Sequence, residues 1–303
     1  MIFRKQIVLL LIGVFMAVFC AGYLAASPTF EKVSESGIRV LEVEASFLNV
    51  EVNGGTGSTV TGWGEDISRN VIVNYKRRGD VLHIWVEKRF SPFALRQSGR
   101  LYFEVPEDVD LDLRSASGEI VIRNMSPARL RAESSSGNIS ISRIGSDLEV
   151  KNASGDINLG MIDGNVRVEN SSGRIELTDV NGNVSAGASS GDLRLSAVEG
   201  DIEASSNSGR IALRSTTGAL HLHTSSGAIH GEDVYITGAS MFETGSGRID
   251  VDLRNQLNDL SFRLTSSSGA LQVGNLKGER NLAAGEGTIR VTGETSSGSQ
   301  LFR

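Results

Sequence analysis

Cysteine is nearly absent from this chain of 303 residues, and Cys20 is the only one. It lies within an apolar N-terminal run, so cleavage of that run would leave an exported part without cysteine. A disulfide framework and thiol catalysis are then excluded. An exported domain of this size must be held together by its apolar core and its backbone hydrogen bonds.

Proline and aromatic residues are also scarce, with 4 prolines and 6% Phe, Trp and Tyr, whereas glycine is abundant at 35 residues. After the N-terminal run, no long stretch shows the 3.6-residue apolar period of a helix. This composition favours a turn-dense β protein. Collagen is excluded because glycine does not recur at every third position.

The chain has no block of Lys and Arg and no face that combines basic with aromatic residues. Its net charge is −6. A nucleic-acid partner is therefore not expected.

The first 26 residues have the layout of an export signal. Arg4 and Lys5 precede the apolar run from Ile7 to Phe19, and small residues follow up to Ala26. This pattern is typical of a signal peptide cleaved after Ala26. The alternative is an uncleaved membrane anchor, because residues 7–26 carry no charge and are long enough to span a bilayer. Both interpretations predict an extracytoplasmic protein in the periplasm, at the cell surface or secreted, with residues 27–36 as a linker.

A repeated phrase, Ser-Gly-x-[Ile/Leu]-x-[aliphatic], dominates the rest of the chain and returns about every 18 residues. Repeats of this kind predict stacked supersecondary units. We expect each marker glycine to occupy a tight corner with positive φ, and the serine before it to tie the corner through its hydroxyl. The marker glycines are Gly118, Gly137, Gly155, Gly173, Gly191, Gly209, Gly227, Gly247, Gly269 and Gly287.

The second and fourth residues after each marker glycine are apolar, which predicts a strand with one buried face. A second, weaker strand follows nine residues later, as in Val166/Val168. The sequence therefore predicts an all-β fold: a parallel β-solenoid of about ten 18-residue coils, each with two strands, over residues 113–293. The predicted core residues are Ile120, Ile139, Ile157, Ile175, Leu193, Ile211, Ile249, Leu271 and Ile289.

The flanks of the repeat differ from it. Residues 37–112 alternate apolar and polar residues without the 18-residue period, and they contain both tryptophans, Trp63 and Trp85. We interpret them as an N-terminal β cap, because the terminal coil of a solenoid would otherwise expose apolar surface and strand edges. Residues 294–303 are predicted to be a polar C-terminal tail.

Charged side chains on the outer surface are interpreted as specifying the register of the coils and not as a binding or catalytic site. The residue after the marker glycine alternates in sign from coil to coil over Asp156, Arg174, Asp192 and Arg210. Each exposed pair is worth only a few tenths of a kcal/mol. A slip by one coil would place like charges together, so the pattern favours one register.

Known catalytic and metal-binding patterns do not fit the repeat. Calcium β-rolls need Gly-Gly-x-Gly-x-Asp in each half-coil, and the turns here are Ser-Gly-x-Ile. His221 and His223 share one strand face, whereas His230 belongs to the opposite sheet and His83 to the N-terminal region, so no zinc site converges.

The run from Gly187 to Gly191 matches Gly-x-Ser-x-Gly, but it leads into a strand and not into the helix that a nucleophile elbow requires. No catalytic, cofactor-binding or metal-binding residue is predicted, and the protein is not expected to be an enzyme.

The segment Leu101-Tyr-Phe-Glu-Val-Pro106, the run from Val109 to Gly118 and the Ser-Gly-[Asp/Asn/Arg]-Ile repeats that follow resemble one known family. This is the bacterial putative-adhesin family of β-strand-repeat domains, which is related to the LiaG-like and head-GIN domains. The resemblance covers about residues 38–292. It implies a β-solenoid at the cell envelope that acts by surface contact, and it supplies no catalytic or ligand residues.

Together these observations predict a non-enzymatic bacterial cell-envelope protein, an adhesin or surface-contact solenoid, without a cofactor. Its partner would be an envelope component, a glycan or a protein, and the N-terminal segment could tether it to the membrane. Two alternatives stay open. One is a structural solenoid that self-associates, and the other is a membrane-tethered accessory in envelope stress.

Overall fold

The structure is a computed structural model and describes residues 30, 32–89 and 97–303. The predicted signal peptide or anchor, including Cys20, lies outside these residues, as do Phe90 and Phe93. Within the described ranges the one helical element is a 3-10 turn at Leu257–Asp259, and all other regular structure is strand.

The strands are numbered in chain order. They are β1 (Val33–Ser36), β2 (Val40–Ser46), β3 (Asn49–Gly55), β4 (Thr59–Glu65), β5 (Val71–Arg78), β6 (Val81–Lys88), β7 (Arg100–Pro106), β8 (Asp110–Ser115), β9 (Ile120–Met125), β10 (Leu130–Ser134), β11 (Ile139–Ile144), β12 (Leu148–Ser154), β13 (Ile157–Asp163), β14 (Val166–Ser172), β15 (Ile175–Asn181), β16 (Val184–Ala188), β17 (Leu193–Glu199), β18 (Ile202–Ser206), β19 (Ile211–Gly218), β20 (Leu220–Thr224), β21 (Ile229–Ile236), β22 (Ser240–Thr244), β23 (Ile249–Leu253), β24 (Leu260–Ser268), β25 (Leu271–Val273), β26 (Leu276–Gly278), β27 (Asn281–Ala284), β28 (Ile289–Ser297) and β29 (Gln300–Phe302).

These strands form two sheets that face each other across a thin core. Sheet A has 15 strands in the order β1-β4-β7-β3-β9-β11-β13-β15-β17-β19-β21-β23-β29-β25-β26. Sheet B has 14 strands in the order β27-β24-β28-β22-β20-β18-β16-β14-β12-β10-β8-β2-β6-β5. Parallel pairing dominates both sheets. The predicted all-β, parallel solenoid-like stack is confirmed.

A coil is one strand of sheet B followed by one strand of sheet A. In sheet A, Ile139 pairs in register with Ile120 on one side and Ile157 on the other. In sheet B, Val166 pairs in the same way with Leu148 and with Val184. Identical positions of successive coils therefore lie one above another, and the aliphatic residues of each position form a continuous buried column.

Each middle strand of sheet A contains a bulge that the repeat did not reveal. The sixth residue after the marker glycine has a positive φ near 55° although it is not glycine, and the seventh residue turns back into the core. The bulge residues are Asn124, Arg143, Met161, Asp179, Ala197, Ser215 and Asp233. The bulge adds a third core column, in which Val180 and Val198 are buried.

At the N-terminal end, residues 37–112 are not separate from the stack. β2 and β6 belong to sheet B, β3 and β7 belong to sheet A, and all four pair in parallel with neighbouring coils. Three antiparallel strands lie outside them: β5 pairs with β6, β4 pairs with β7, and β1 pairs with β4. The region therefore consists of two further coils covered by antiparallel strands.

At the C-terminal end, the structure corrects the predicted tail over residues 294–303. Glu294 to Ser297 complete β28, and Gln300 to Phe302 form β29, which lies between β23 and β25 inside sheet A. Phe302 is fully buried and packs against Phe242 and Phe262 with ring centroids 5.4 Å apart in each pair. The polar sequence hid this strand because only one of its residues is a large apolar core residue.

The two ends share one topology. At the N-terminal end the second coil, β6/β7, is outermost, and the first coil, β2/β3, lies between it and the rest of the stack. At the C-terminal end β24/β25 is outermost, and the last coil, β28/β29, lies between it and the rest of the stack. In each case an antiparallel layer outside, β4/β5 or β26/β27, covers the outermost coil. Apart from β1, β4 and β26 in sheet A and β5 and β27 in sheet B, every strand pairs in parallel, so each sheet contributes 12 strands to 12 coils.

Candidate functional site: the outer face of sheet B

The marker glycines form a column at the corner between sheet B and sheet A. A Cβ added at Gly209 would lie 1.9 Å from the carbonyl oxygen of Gly191, and one at Gly191 would lie 1.8 Å from that of Gly173. Successive backbones thus approach too closely for any side chain. Only some markers, such as Gly155 and Gly173, have the positive φ that we expected. Close packing between coils therefore explains the column better than backbone conformation does.

Gly287 does not belong to this column. It precedes β28 in sheet B, and its added Cβ would lie 1.9 Å from the carbonyl carbon of Asp259. The marker position of the last coil is occupied by Gly298, whose added Cβ would lie 1.9 Å from the carbonyl oxygen of Gly247. The assignment of Gly287 was wrong because the strand order changes at this end while the Gly-x-Ile phrase does not.

The side chains that tie the corner lie three residues before the marker glycine and not one. The backbone N–H of Gly209 donates to Oγ of Ser206 at 2.9 Å, and Oγ of Ser206 donates to the carbonyl of Gly191 at 3.1 Å. Ser117 and Ser136, two of the serines predicted to do this, are exposed. The buried tie residues are Ser115, Ser134, Asn152, Asn170, Ser206, Thr224 and Thr244.

The predicted core residues all pack in or against the core between the sheets. Ile289 is only half-buried and stands at the start of β28 in sheet B, whereas the others stand in sheet A. The fully buried ones are Ile120, Ile139, Ile157, Ile175, Leu193, Ile211, Ile249 and Leu271.

The outer face of sheet B carries two columns of side chains whose charges alternate in both directions. One column contains Asp112, Arg131, Glu149 and Arg167, and the adjacent column contains Arg114, Glu133, Lys151 and Glu169. We call these eight residues the charge lattice.

Neighbours within the charge lattice pair along and between strands. Arg114 lies 3.0 Å from Asp112 and 3.8 Å from Glu133, and Arg167 lies 2.9 Å from Glu169. Arg131 also bonds to Glu133, and this hydrogen bond raises the pKa of Arg131.

Two grooves run along this face across several coils. The corner groove, of about 540 Å³, follows the sheet B corner past Asp147, Asn165, Asn183 and Asp201. The Asn groove, of about 750 Å³, follows the opposite side of the same strands and is lined by Arg114, Ser115, Glu133, Ser134, Ser135, Lys151, Asn152, Ala153, Glu169, Asn170, Ser171, Gly187, Ala188, Ser189, Ser205 and Asn207. The sheet B face with these two grooves is a candidate contact surface.

Side chains of the corner groove are held by the backbone of the next coil. Oδ1 of Asp147 accepts the backbone N–H of Asn165 at 2.8 Å, and Oδ1 of Asn165 accepts that of Asn183 at 3.0 Å. This ladder continues through Asp201 to Ala219 at 2.9 Å. The groove wall is therefore rigid, because each side chain is fixed before any ligand arrives.

The alternating residues after the marker glycines act mainly in the same way. Oδ1 of Asp156 accepts the backbone N–H of Arg174 at 2.8 Å, whereas the charged groups of the two residues are 3.9 Å apart. Oδ1 of Asp192 accepts the N–H of Arg210 at 3.0 Å. Hydrogen bonds from side chain to backbone therefore contribute to register here, in addition to opposite charge.

The histidines are dispersed over both sheets. His221 and His223 lie on β20 in sheet B, and Nδ1 of His223 is 3.1 Å from Glu243. His230 lies on β21 in sheet A, where it contacts Glu232. This hydrogen bond, with the nearby charge of Arg214, holds the pKa of Glu232 below its ordinary value. Within the described ranges no three His, Cys, Asp or Glu side chains are grouped closely enough to hold a metal ion.

After Gly227 the spacing of the marker glycines widens from 18 to 20 residues, and the coils there hold a second polar surface on sheet A. Arg254 follows β23 and donates to Oγ1 of Thr217 at 2.9 Å, lies 3.2 Å from Asp233, and stacks over Tyr235 at 5.7 Å. A groove of about 460 Å³ lies beside it, lined in part by Asp179. Arg254 thus links three successive coils.

The Gly187–Gly191 run begins in β16 and leads through the following turn into β17, a strand, as the sequence predicted for a repeat corner. No helix among the residues that the structure describes is long and apolar enough to cross a bilayer.

Three solved structures are similar to this chain at low identity. A protein from Bacteroides fragilis described as a putative adhesin is 11% identical, with 92% of this chain and 100% of that chain covered and a TM-score of 0.39. A putative lipid binding protein from Parabacteroides distasonis is 14% identical, with 89% and 96% covered and a TM-score of 0.38. A putative cell adhesion protein from Clostridium sporogenes is 11% identical, with 90% and 98% covered and a TM-score of 0.19.

No curated protein matches the chain. The family model for Toastrack DUF4097 matches it twice, over residues 38–209 and 146–300. The two matches overlap by several coils, as expected for a model of a repeat that can align in more than one register. Together they span both sheets and both grooves. The chain therefore belongs to the Toastrack DUF4097 family.

Proposed function

We propose that this protein is a non-enzymatic contact protein of the bacterial cell envelope and that the outer face of sheet B is its contact surface. The observation that carries the proposal is the continuity of this face: two grooves, of about 540 and 750 Å³, run side by side over successive coils of one sheet. A shallow, repeated surface of this kind suits the binding of an extended partner.

The electrostatics of the face agree with a binding role. The charge lattice contains four acidic and four basic residues, so it has no net charge. Its members are fixed by neighbouring side chains, which reduces the entropy lost when a partner is bound. The proposed location outside the cytoplasm rests on the sequence of residues 1–26, which has the pattern of an export signal or anchor.

Co-sedimentation of the purified full-length protein with isolated bacterial envelopes tests this proposal. A sheet B variant, Lys151→Gln with Glu169→Gln, removes two adjacent charges of opposite sign and leaves the net charge unchanged. Its matched control on sheet A is Glu176→Gln with Arg194→Gln, which removes two opposite charges that lie side by side on adjacent strands of the opposite face.

We expect envelope binding by the wild type and the sheet A variant, and about tenfold weaker binding by the sheet B variant. Equal binding by both variants would contradict the assignment of the contact surface to the outer face of sheet B. Absence of envelope binding, or assembly of the purified protein into filaments seen by electron microscopy, would overturn the contact function and favour a structural one.

A further inference from the structure

We infer that the Asn groove binds a neutral glycan strand that lies along the stack, across the strands of sheet B. This inference rests on the proposed function and names its ligand class. It starts from Asn152 and Asn170, two neighbouring tie residues that line the groove and are 6% and 4% exposed.

Both asparagines leave a hydrogen-bond acceptor unused. Nδ2 of Asn152 donates to the carbonyl of Gly137, and Nδ2 of Asn170 donates to that of Gly155, each at 2.9 Å. Their Oδ1 atoms have no hydrogen-bond partner among the described residues. A buried polar atom without a partner is costly, so an O–H or N–H donor that reached either Oδ1 from the groove would stabilise the complex.

The fold itself does not need asparagine at this position. In the preceding coil the tie is Ser134, and in the following coil the position is Ala188, which cannot tie. One coil further on, Oγ of Ser206 both donates to the preceding coil and accepts from its own glycine. Serine therefore satisfies the corner without a spare acceptor. The asparagines add an unused acceptor in two adjacent coils, and both lie under one groove.

The next two coils leave space along the same groove. Where other coils carry charged or bulkier residues, β16 carries Gly187 and Ala188, and β18 carries Ser205. A Cβ built on Gly187 would meet nothing closer than Oγ of Ser205 at 3.9 Å. The groove therefore continues over six sheet B strands, from β8 to β18, a length of about 24 Å at the usual strand spacing.

The groove walls favour an uncharged, hydroxyl-rich ligand. Arg114, Glu133, Lys151 and Glu169 alternate in sign and pair with one another, so the wall offers donors and acceptors without a net field. A polyanion or polycation would gain little from it. Sugar hydroxyls donate and accept, and a glycan chain advances per residue by a distance close to the spacing of the strands.

Other occupants fit less well. An extended peptide gains affinity by pairing with an exposed strand edge, but the strands under this groove are internal to sheet B. A second copy of the chain would match the charge lattice, yet it would have to bury these ion pairs and remove their water, which is costly.

The test is binding of the purified full-length protein to immobilised neutral oligosaccharides of two to about eight sugars, with charged glycans and peptides in the same panel. Gly187→Gln fills the groove without touching a corner. Gly160→Gln is its matched control, because Gly160 is an outward strand glycine of sheet A whose Cβ also has room. Asn152→Ser with Asn170→Ser removes the unused acceptors and keeps a serine tie of the kind found at Ser134 and Ser206.

We expect neutral glycans to bind, with affinity that rises up to about five sugars. Gly187→Gln and the double serine variant should each weaken binding about tenfold, and Gly160→Gln should not change it. Thermal melting checks that all variants fold. The inference is overturned if only charged glycans or peptides bind, if no neutral glycan of the panel binds, or if Gly187→Gln binds like the wild type.

Envelopes treated with periodate, which cleaves the vicinal diols of glycans, separate this inference from the proposed function. If binding to treated envelopes is lost, both stand. If it persists, still requires sheet B and is not competed by the neutral oligosaccharides of the panel, the contact function stands and the glycan inference fails. If untreated envelopes do not bind the protein, the contact function itself fails.

Discussion

From β8 to β23 each new coil lies on the one before it in chain order. At the N-terminal end the chain passes from β6/β7 over the earlier coil β2/β3 to β8/β9, and at the C-terminal end it leaves a position that the later coil β28/β29 fills. The middle is held by contacts between residues about 18 apart in sequence. The ends depend on contacts between distant residues, such as Asn49 with Glu119. Coils of a uniform repeat can therefore stack on one another without limit, because each new coil makes the same contacts. To end the stack, each end needs strands of a different sequence that fold back over the outermost coil.

In the middle coils, the largest loss of stability is expected from Ile175→Asp, which changes a buried position. Ile175 is fully buried in a column of aliphatic residues, so the variant would place an unpaired charge in the core at a loss of more than about 4 kcal/mol. Circular dichroism during urea unfolding measures it. Glu176→Ala on the same strand is the control and should change stability by less than about 0.5 kcal/mol. Similar unfolding of both variants would contradict the assigned strand faces.

Phe302→Ala should show that the C-terminal end unfolds separately from the middle. Loss of the ring that contacts Phe242 and Phe262 should cost about 3–5 kcal/mol, confined to the strands around β29. Hydrogen exchange should accelerate in β22 to β28 and stay slow in β12 to β18. Leu301→Ala, on the outward face of the same strand, should have little effect. Uniform acceleration along the chain would mean that the stack unfolds as one unit.

Gly209→Ala tests the close approach of corners in the middle. Its Cβ would meet the Gly191 carbonyl oxygen at 1.9 Å, so coils must move apart at a cost of about 1–3 kcal/mol. Gly298→Ala is the equivalent change at the end and should loosen only the last coils. Gly187→Ala, a strand glycine with room for Cβ, should stabilise by about 0.5 kcal/mol. The urea midpoints of the three variants rank their stabilities. Equal shifts of the midpoint would contradict the explanation that close approach of the corners excludes a Cβ.

Ala197→Gly tests the bulge and should have the smallest effect. Ala197 has a φ of 52°, a conformation that costs an L-residue about 1 kcal/mol and glycine almost nothing. The variant should therefore be more stable by up to about 1 kcal/mol. Ala212→Gly, in an ordinary strand position, should lose about 0.5–1 kcal/mol. A loss in both variants would show that the bulge is not strained.

The regular coils of this fold were predictable from the sequence. The 18-residue spacing of residues such as Ile139 and Ile157 indicates where each strand lies, and the alternation around them indicates which face is buried. The tie column was missed by two residues, since Ser134 and Ser136 look alike in sequence and only burial distinguishes them. The bulge had no sequence signal, because Asn124, Arg143 and Ala197 share no property. The C-terminal end was misread because Gly287 repeats the local phrase, whereas strand order is set by contacts that local sequence does not encode.

The candidate site was less predictable than the fold. The charge lattice is present in sequence as alternate residues of the sheet B strands, such as Glu149 and Lys151, but the 18-residue repeat of the marker glycines is the stronger signal and points to the corners. The Asn groove depends on which atoms remain without partners, and such a property exists only in the folded chain. Asn152 and Asn170 are ordinary turn residues in sequence.

The alternation of charge in sheet B gives the surface a longer period than the core. Removal of a single coil, for example residues 147–164, would keep every aliphatic column but bring Arg131 beside Arg167 and Glu133 beside Glu169. Removal of two coils, residues 129–164, would restore opposite neighbours, with Asp112 beside Arg167 and Arg114 beside Glu169. Duplication or deletion of coils within the charge lattice, from β8 to β14, must therefore proceed in units of two coils if the alternation is to be kept.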